Sequence, residues 1–420
     1  MKHLYIFIFF FINLSHSFFH RAIRPSFFLD VMMKKSVNVN NDENIIRNQL
    51  LPEDMVVVEE EGQRPDSSSD VVIVGGGVGG LVCGNLLSKR FNITILEKHD
   101  RCGGRMQSEN INRNQFNYRF DIGPSLLLLP DIYRKTFSQL GYNIDDFISL
   151  LEVDPLYRIF FADNSSYDIT KNETQMTSIF ESIEMGSGNS YKRYMYNANN
   201  FLKFGLPGVI EETPTFTSLL PFLVSCLDDF PLLSHSYILK KYFRSKKLQA
   251  LMSFQDLYIG LSPYEAKSIF SLLQAIEISN GIYYPSGGFS QVARSLESIA
   301  LRNNISIKYN STFLNFSSNG SKDINTYYKN NQNEYKKIIS KKLITNIDVP
   351  EFENKYVHVL DKEYIDQRAA SGRPSCGVLS LSLAFNITLS KLAHHNIFFS
   401  EQFENSWEVV EGLEKNYFFL

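Results

Sequence analysis

The spacing of apolar and polar positions changes period several times along the chain. Val71, Val72, Ile73 and Val74 form an unbroken β-branched run, the pattern of a parallel strand buried on both faces. After a glycine-rich break, Val78, Leu81, Val82 and Leu86 recur at helical spacing, which predicts a helix starting near Val78 with those residues as its apolar face. Residues 91–96 return to strand composition and stop at Glu97. Further on, Val292, Leu296, Ile299 and Ala300 mark one face of a helix over 291–301. Residues 305–309 read as a strand and 342–346 as a core strand. Residues 317–338 are polar and asparagine-rich, which predicts a surface hairpin. From about 155 to 280 glycine is sparse and aromatic and aliphatic residues dominate.

The break between the first strand and helix carries the first chemistry. Gly75, Gly77 and Gly80 supply G-x-G-x-x-G, with Gly79 beside the last and Gly84 one helical turn on. The first glycine allows a tight turn, the second a close approach to a diphosphate, and the third close packing of helix on strand. The open N–H groups and positive dipole end of the helix favour the same anion. Glu97, about 20 residues on, stands where a carboxylate accepts from ribose hydroxyls. Alone, the glycine pattern describes many flexible turns; between this strand, helix and acid it describes a dinucleotide site. A second turn, Arg101-Cys102-Gly103-Gly104-Arg105, places more backbone amides and a guanidinium fork nearby.

Glu97 followed by Gly103-Gly104-Arg105 resembles flavoproteins of the amine oxidase and phytoene desaturase superfamily, which bind FAD. Phe120-Asp121-Ile122-Gly123-Pro124-Ser125 resembles that superfamily's segment beside the cofactor, so Gly123 and Pro124 join Gly75, Gly77, Gly79, Gly80, Glu97, Gly104 and Arg105 as expected cofactor contacts. Similarity to the bacterial-type phytoene desaturase and carotenoid isomerase branch continues at Tyr258-Ile259-Gly260-Leu261-Ser262-Pro263, at Gly281-Ile282-Tyr283-Tyr284-Pro285-Ser286-Gly287-Gly288-Phe289, at Ser375-Cys376 and at His394-His395-Asn396-Ile397-Phe398-Phe399-Ser400. The resemblance implies an α/β fold: a Rossmann-like FAD-binding domain of glutathione-reductase type, formed by 70–154 and 281–350, with an inserted α+β substrate domain formed by 155–280 and 351–420. It also implies a glycine-rich closing segment over the flavin; the chain ends at Leu420 without one, so the family fold is expected to be incomplete at that end.

Composition narrows the picture. With 420 residues, 44% of them hydrophobic, the chain can bury a large core. A net charge of −3 gives no reason to expect nucleic-acid binding. Cys83, Cys102, Cys226 and Cys376 are far apart and the eight histidines offer no metal-ligand spacing, so neither a disulfide framework nor a metal site is expected. His394 and His395 read as strand neighbours, one ring packed and one in solvent. Near the start, an apolar run from Leu4 to Ile12 suits a signal-peptide core, with Ser15-His16-Ser17 before Phe18-Phe19 as a cleavage region. Residues 1–17 are thus expected as signal peptide and 18–69 as transit peptide and linker, resembling the two-part address for plastids of secondary endosymbiotic origin. A plain secretory signal is the alternative.

The chemistry implied by the resemblance is dehydrogenation of a phytoene-like polyene by an FAD-dependent desaturase. Carotenoid cis–trans isomerisation, oxidation of another substrate such as a soluble amine, and non-catalytic lipid or prenyl binding stand as alternatives. A polyene has no charged handle, so its pocket must be long and apolar. Residues 126–129, all leucine, would line it or else begin a buried helix. Such a substrate lives in the bilayer. The apolar stretch 219–239, running into Lys240-Lys241 and Lys246-Lys247, reads either as an interfacial membrane segment or as a core helix with a solvated basic end; the polyene favours the first. No catalytic acid or base follows from spacing.

Overall fold

The computed structural model describes residues 8–12, 66–113, 116–210, 231–317, 323–356, 377–385, 387 and 389–401. Strand β1 (Ser67–Val74), helix α1 (Val78–Leu87) and strand β2 (Ile93–Leu96) form the expected strand-helix-strand unit of a parallel sheet, with Val72 opposite Thr94 and Val74 opposite Leu96. Val72 and Ile73 have no exposed surface. Of the expected apolar face, Leu81 is buried and Val78 and Val82 pack against the same core, while Leu86 is 40% exposed and Gly80, Gly84 and Asn85 face inward beside Leu81. The reason is close approach. A Cβ on Gly80 would lie 2.1 Å from the Gly75 carbonyl oxygen, so small residues must face the sheet. Asn85 is buried because its amide donates to the carbonyls of Leu81 and Leu296 at 2.9 and 3.0 Å.

A hairpin of β3 (Ser108–Arg113) and β4 (Phe116–Asp121) follows. Leu127 then exchanges two backbone hydrogen bonds with Tyr283, both 2.9 Å, and Leu129 adopts the left-handed conformation (φ 53°) at the start of α2 (Pro130–Leu140). The leucine stretch is therefore not helical, and the helix starts only at Pro130. Leu127 is fully buried, and Leu126 and Leu128 pack against the core of the middle region.

That region contains β5 (Tyr157–Phe160), β6 (Ser166–Ile169), α3 (Glu173–Ile183), α4 (Ser187–Ile210), α5 (His235–Tyr242) and α6 (Leu272–Asn280). Its core is aromatic: Tyr157, Phe180, Tyr191, Tyr194 and Phe243 are each at most 1% exposed. Of the apolar stretch 219–239, residues 219–230 lie outside the described residues. Beyond them Leu232, Leu233 and Tyr237 are exposed, and Lys240 and Lys241 occupy the last turn of α5, where the helix dipole favours cations. Among the described residues no helix is long and apolar enough to cross a membrane.

The chain returns through β7 (Tyr283–Pro285), α7 (Ser290–Arg302), β8 (Ser306–Lys308), β9 (Thr312–Ser317), β10 (Ile324–Lys329) and β11 (Tyr335–Thr345). These complete a six-stranded sheet in the order β8-β2-β1-β11-β10-β9, parallel from β8 to β11 and antiparallel beyond. The segment expected as a surface hairpin does form a hairpin, β10 with β11, but one built into the sheet. Thr326 and Tyr328 face inward while Asn325 and Tyr327 are more open, and Thr326 and Ile338 have no exposed surface. Period-two burial tolerates a polar composition because half of each strand meets solvent. One sheet face packs α1 and α7 through Leu81, Val292, Leu296 and Ile299; the other gathers Val72, Val74, Phe313, Tyr328 and Ile338.

Finally β12 (Asn396–Phe398) pairs parallel with β5, giving a second sheet in the order β12-β5-β6. Within the expected leader, Ile8–Ile12 pairs antiparallel with Gly377–Leu381. The rest of residues 1–65, along with Cys226, Ser375-Cys376 and residues 402–420, lies outside the described residues. The mixed α/β architecture with a Rossmann-type parallel sheet is the fold class expected from the sequence.

Gly80→Ala should lower stability by about 1–3 kcal/mol through overpacking against backbone, read as an earlier denaturation midpoint. Gly84→Ala, whose Cβ meets the flexible Ile95 Cδ1 at 3.1 Å, should stay within about 1 kcal/mol of wild type, because alanine's better helix propensity offsets the contact.

Candidate functional site

The glycine loop sits at the carboxyl ends of the parallel strands, the usual location of ligands in such sheets. Gly75 leaves β1 at φ +101°, a conformation that disfavours any side chain. Gly77 caps α1 with extended backbone, leaving the first-turn N–H groups open to an anion. Gly76, an unspecified position in the motif, tolerates a side chain no better: its Cβ would be 2.6 Å from Cys102 Sγ and 3.0 Å from Glu97 Oε2. The Gly76 N–H donates to Glu97 Oε2 at 2.8 Å and the His99 N–H to Oε1 at 2.9 Å. Glu97 is 4% exposed, so this carboxylate first of all holds the glycine loop against the end of β2. Each of its oxygens retains accepting capacity for a ribose hydroxyl.

The second turn lies directly on the first. Gly103 N–H donates to Gly76 O at 2.9 Å, Gly77 and Gly103 form a parallel bridge, and a Cβ on Gly104 would be 3.2 Å from Gly77 Cα. Burial, with Glu297 and Glu97 adding negative charge, pushes the Cys102 thiol far up, so it is an inert packing group. Cys83 lies on α1 and is likewise an unpaired thiol. Arg105 points into solvent and pairs with Asp348 at 2.9 Å. A Cβ on Gly123 would fall 1.9 Å from the Arg105 carbonyl oxygen, which fixes the 120–125 block against the second turn. Pro124 follows, half-buried, leading toward Leu127. The structure therefore gathers Gly75, Gly77, Gly79, Gly80, Glu97 and Gly104 at one rim, with Arg105 and Gly123 adjoining and Pro124 leading away. Gly79 and Gly104 are solvent-open.

Asp121 is the junction of the later blocks. Its Oδ1 accepts from Ser108 Oγ and, at 3.2 Å, from Phe289 N–H; its Oδ2 accepts from Tyr284 Oη at 2.5 Å. Gly288 (φ +92°) comes so close that its Cβ would be 2.7 Å from Asp121 Oδ1. The Tyr284 ring contacts the His394 ring at 4.9 Å. The two histidines depart from the expected alternation. They precede β12, and their rings meet at 4.4 Å with Nδ1 atoms 3.1 Å apart. His395 Nε2 lies 3.1 Å from Ser125 O, an acceptor only, so that nitrogen carries the proton and His394 Nδ1 donates to His395 Nδ1. Surrounding protein pushes both imidazoles down, His395 to about 3, although His394 keeps an edge open to solvent.

A polar cluster also interrupts the aromatic core. Gln255 Nε2 donates to Glu277 Oε2 at 3.0 Å and to Tyr157 Oη at 2.8 Å, and Tyr157 Oη donates to Glu277 Oε2 at 3.3 Å. Beside it His235 Nδ1 and Nε2 lie 2.7 Å from Asp256 Oδ2 and Tyr194 Oη. Burial raises the Glu277 carboxyl to about 7, against the hydrogen bonds from Gln255, Tyr258 and Tyr157. Sequence reasoning assigned no role to Gly76, Asp121, Tyr284 or Glu277. Asp121 and Tyr284 lie within blocks 120–125 and 281–289, but nothing in their spacing shows that they meet. Among the described residues no cluster of His, Cys, Asp and Glu could hold a metal.

A family model for an NAD(P)-binding Rossmann-like domain matches residues 73–141. Phytoene desaturases from Fusarium fujikuroi and Neurospora crassa are each 29% identical to this chain over 80% of its length. A zeta-carotene-forming phytoene desaturase from Myxococcus xanthus is 27% identical over 80%. The chain spans 58% of the two fungal relatives and 63% of the bacterial one. The parallel sheet and paired glycine turns define a dinucleotide-binding protein of Rossmann type. More narrowly, over most of its length the chain is similar to phytoene desaturases.

Asp121→Ala strands three donors and should cost more than about 2 kcal/mol in chemical denaturation; Asp121→Asn, which keeps an acceptor, should cost less. Glu277 ties stability to pH. The folded chain holds a proton that the unfolded chain releases between 4.5 and 7, so stability falls by about 3 kcal/mol as pH rises through that window. Glu277→Gln should remove that slope in melts recorded from pH 4.5 to 7.5.

Proposed function

We propose that this chain acts as an FAD-dependent carotenoid desaturase that introduces double bonds into a phytoene-like polyene. The observation that carries this reading is the contiguity of a glycine-lined dinucleotide rim, the Gly123-Pro124 segment and an aromatic, apolar core. Leu126 and Leu128 connect the last two by packing against that core.

The rim fits the group. Gly77, Gly79 and Gly104 bring bare backbone to the rim, where a Cβ would crowd Asn346 or Gly77; the open N–H groups at the start of α1 suit an anion there, and Arg105, paired with Asp348, stands at the adjoining turn. When bound, the flavin supplies the hydride-accepting chemistry. The residues of this chain bind and orient: Glu97 holds the loop and keeps acceptor capacity for ribose, Gly123 sets the segment beside the second turn, and the aromatic core excludes water from an apolar chain. Exposed Leu232, Leu233 and Tyr237 beside Lys240 and Lys241 support contact with a membrane surface, from which a polyene would be drawn. The apolar run from Leu4 to Ile12 and the basic segment after it support delivery to a plastid through the secretory route.

Full-length protein incubated with FAD and then desalted should retain flavin, and with phytoene-containing liposomes it should yield products with added double bonds by chromatography and absorption. Retained flavin with amine oxidation and no polyene change would replace this reading by that of another flavin oxidase. Loss of all flavin would point to a lipid carrier.

A further inference from the structure

Asn346 is the first residue after β11, and its position is fixed by a 2.7 Å hydrogen bond from its N–H to Val74 O, at the mouth of the glycine loop. Its carboxamide lies over the loop. Oδ1 is 2.9 Å from where a Cβ of Gly79 would stand, and Nδ2 is 3.0 and 3.3 Å from the corresponding points at Gly77 and Gly80. The residue is exposed, and among the described residues no side-chain hydrogen bond holds the carboxamide. Two residues further on, Asp348 takes the Arg105 guanidinium at 2.9 Å, so the same short segment also reaches the second glycine turn.

We propose that Asn346 is a dinucleotide-binding residue whose side-chain amide donates to the diphosphate. The open N–H groups of the first turn of α1 make this rim attractive to an anion. Gly77 and Gly79 carry no side chains, so the carboxamide opposite them is the neighbouring group able to add a side-chain donor. Rotation of the amide presents an N–H to either side. An uncharged donor suits a position already flanked by Arg105, because it adds a hydrogen bond without a further charge to desolvate.

The inference rests on the dinucleotide reading above. Its test is titration of the full-length chain, and of Asn346→Ala and Asn346→Asp, with ADP and with FAD, followed by calorimetry and protein fluorescence. Asn346→Ala should weaken ADP binding by about 10-fold, the scale of one hydrogen bond to a charged group. Asn346→Asp should weaken it further, and that extra loss should shrink as salt rises from about 0.05 to about 0.5 M, because like-charge repulsion at the surface is screened. Ligand-free melting should match wild type in both variants. If wild type binds and both variants bind equally well, the assignment is overturned. A salt-independent loss accompanied by a lowered ligand-free melting point overturns it too, since that marks a structural role. If wild type binds neither ADP nor FAD, the dinucleotide reading itself falls.

Discussion

At the end of β1 backbone meets backbone at distances that exclude a side chain, and the geometry of the dinucleotide rim depends on that contact. Gly80 rests on the Gly75 carbonyl and Gly76 fits between Cys102 and Glu97. Because α1 can lie this close, its first turn points at the space above the strands. The second glycine turn can then bridge to Gly77, and Glu97 can reach the Gly76 N–H. A methyl group at these positions would move the helix and with it every N–H that faces the rim.

A second constraint joins this end of the protein to the aromatic core. Asp121 lies at 4% exposure and accepts from β3, from β7 and from the start of α7. Burying a carboxylate is costly unless donors surround it, and here the donors come from segments far apart in the chain. The carboxylate therefore specifies one arrangement of the hairpin, the returning chain and the leucine segment. Tyr284 extends the junction to the histidine pair, which is anchored on Ser125. Glu277 joins Gln255 and Tyr157 inside the core through its Oε2, while its buried Oε1 meets no hydrogen-bond partner among the described residues.

Much of the first unit was legible from local pattern. An unbroken β-branched run has few fates other than a doubly buried strand, and glycines at that spacing before a helix have a steric cause. The apolar spacing of α1 holds for Val78, Leu81 and Val82 but not for Leu86, which lies outside because the helix approaches the sheet through Gly80 and Gly84. The polar, asparagine-rich composition marks the hairpin of β10 and β11 but not its period-two burial, by which it joins the sheet. The histidine pair was read as strand neighbours, though the strand begins only after them.

The sequence by itself determined the βαβ unit, its two glycine turns and the acid at the end of β2, because each follows from interactions within about 30 residues, where chain connectivity limits the alternatives. Tertiary structure alone decided that Asp121 would be met by Tyr284 and Phe289, that Asn346 would lie over Gly77 and Gly79, and that Arg105 would pair with Asp348. Those partners are separated by many residues. Their meeting is set by how the returning strand pairs with β1 and how the two cores pack, and no local periodicity encodes either.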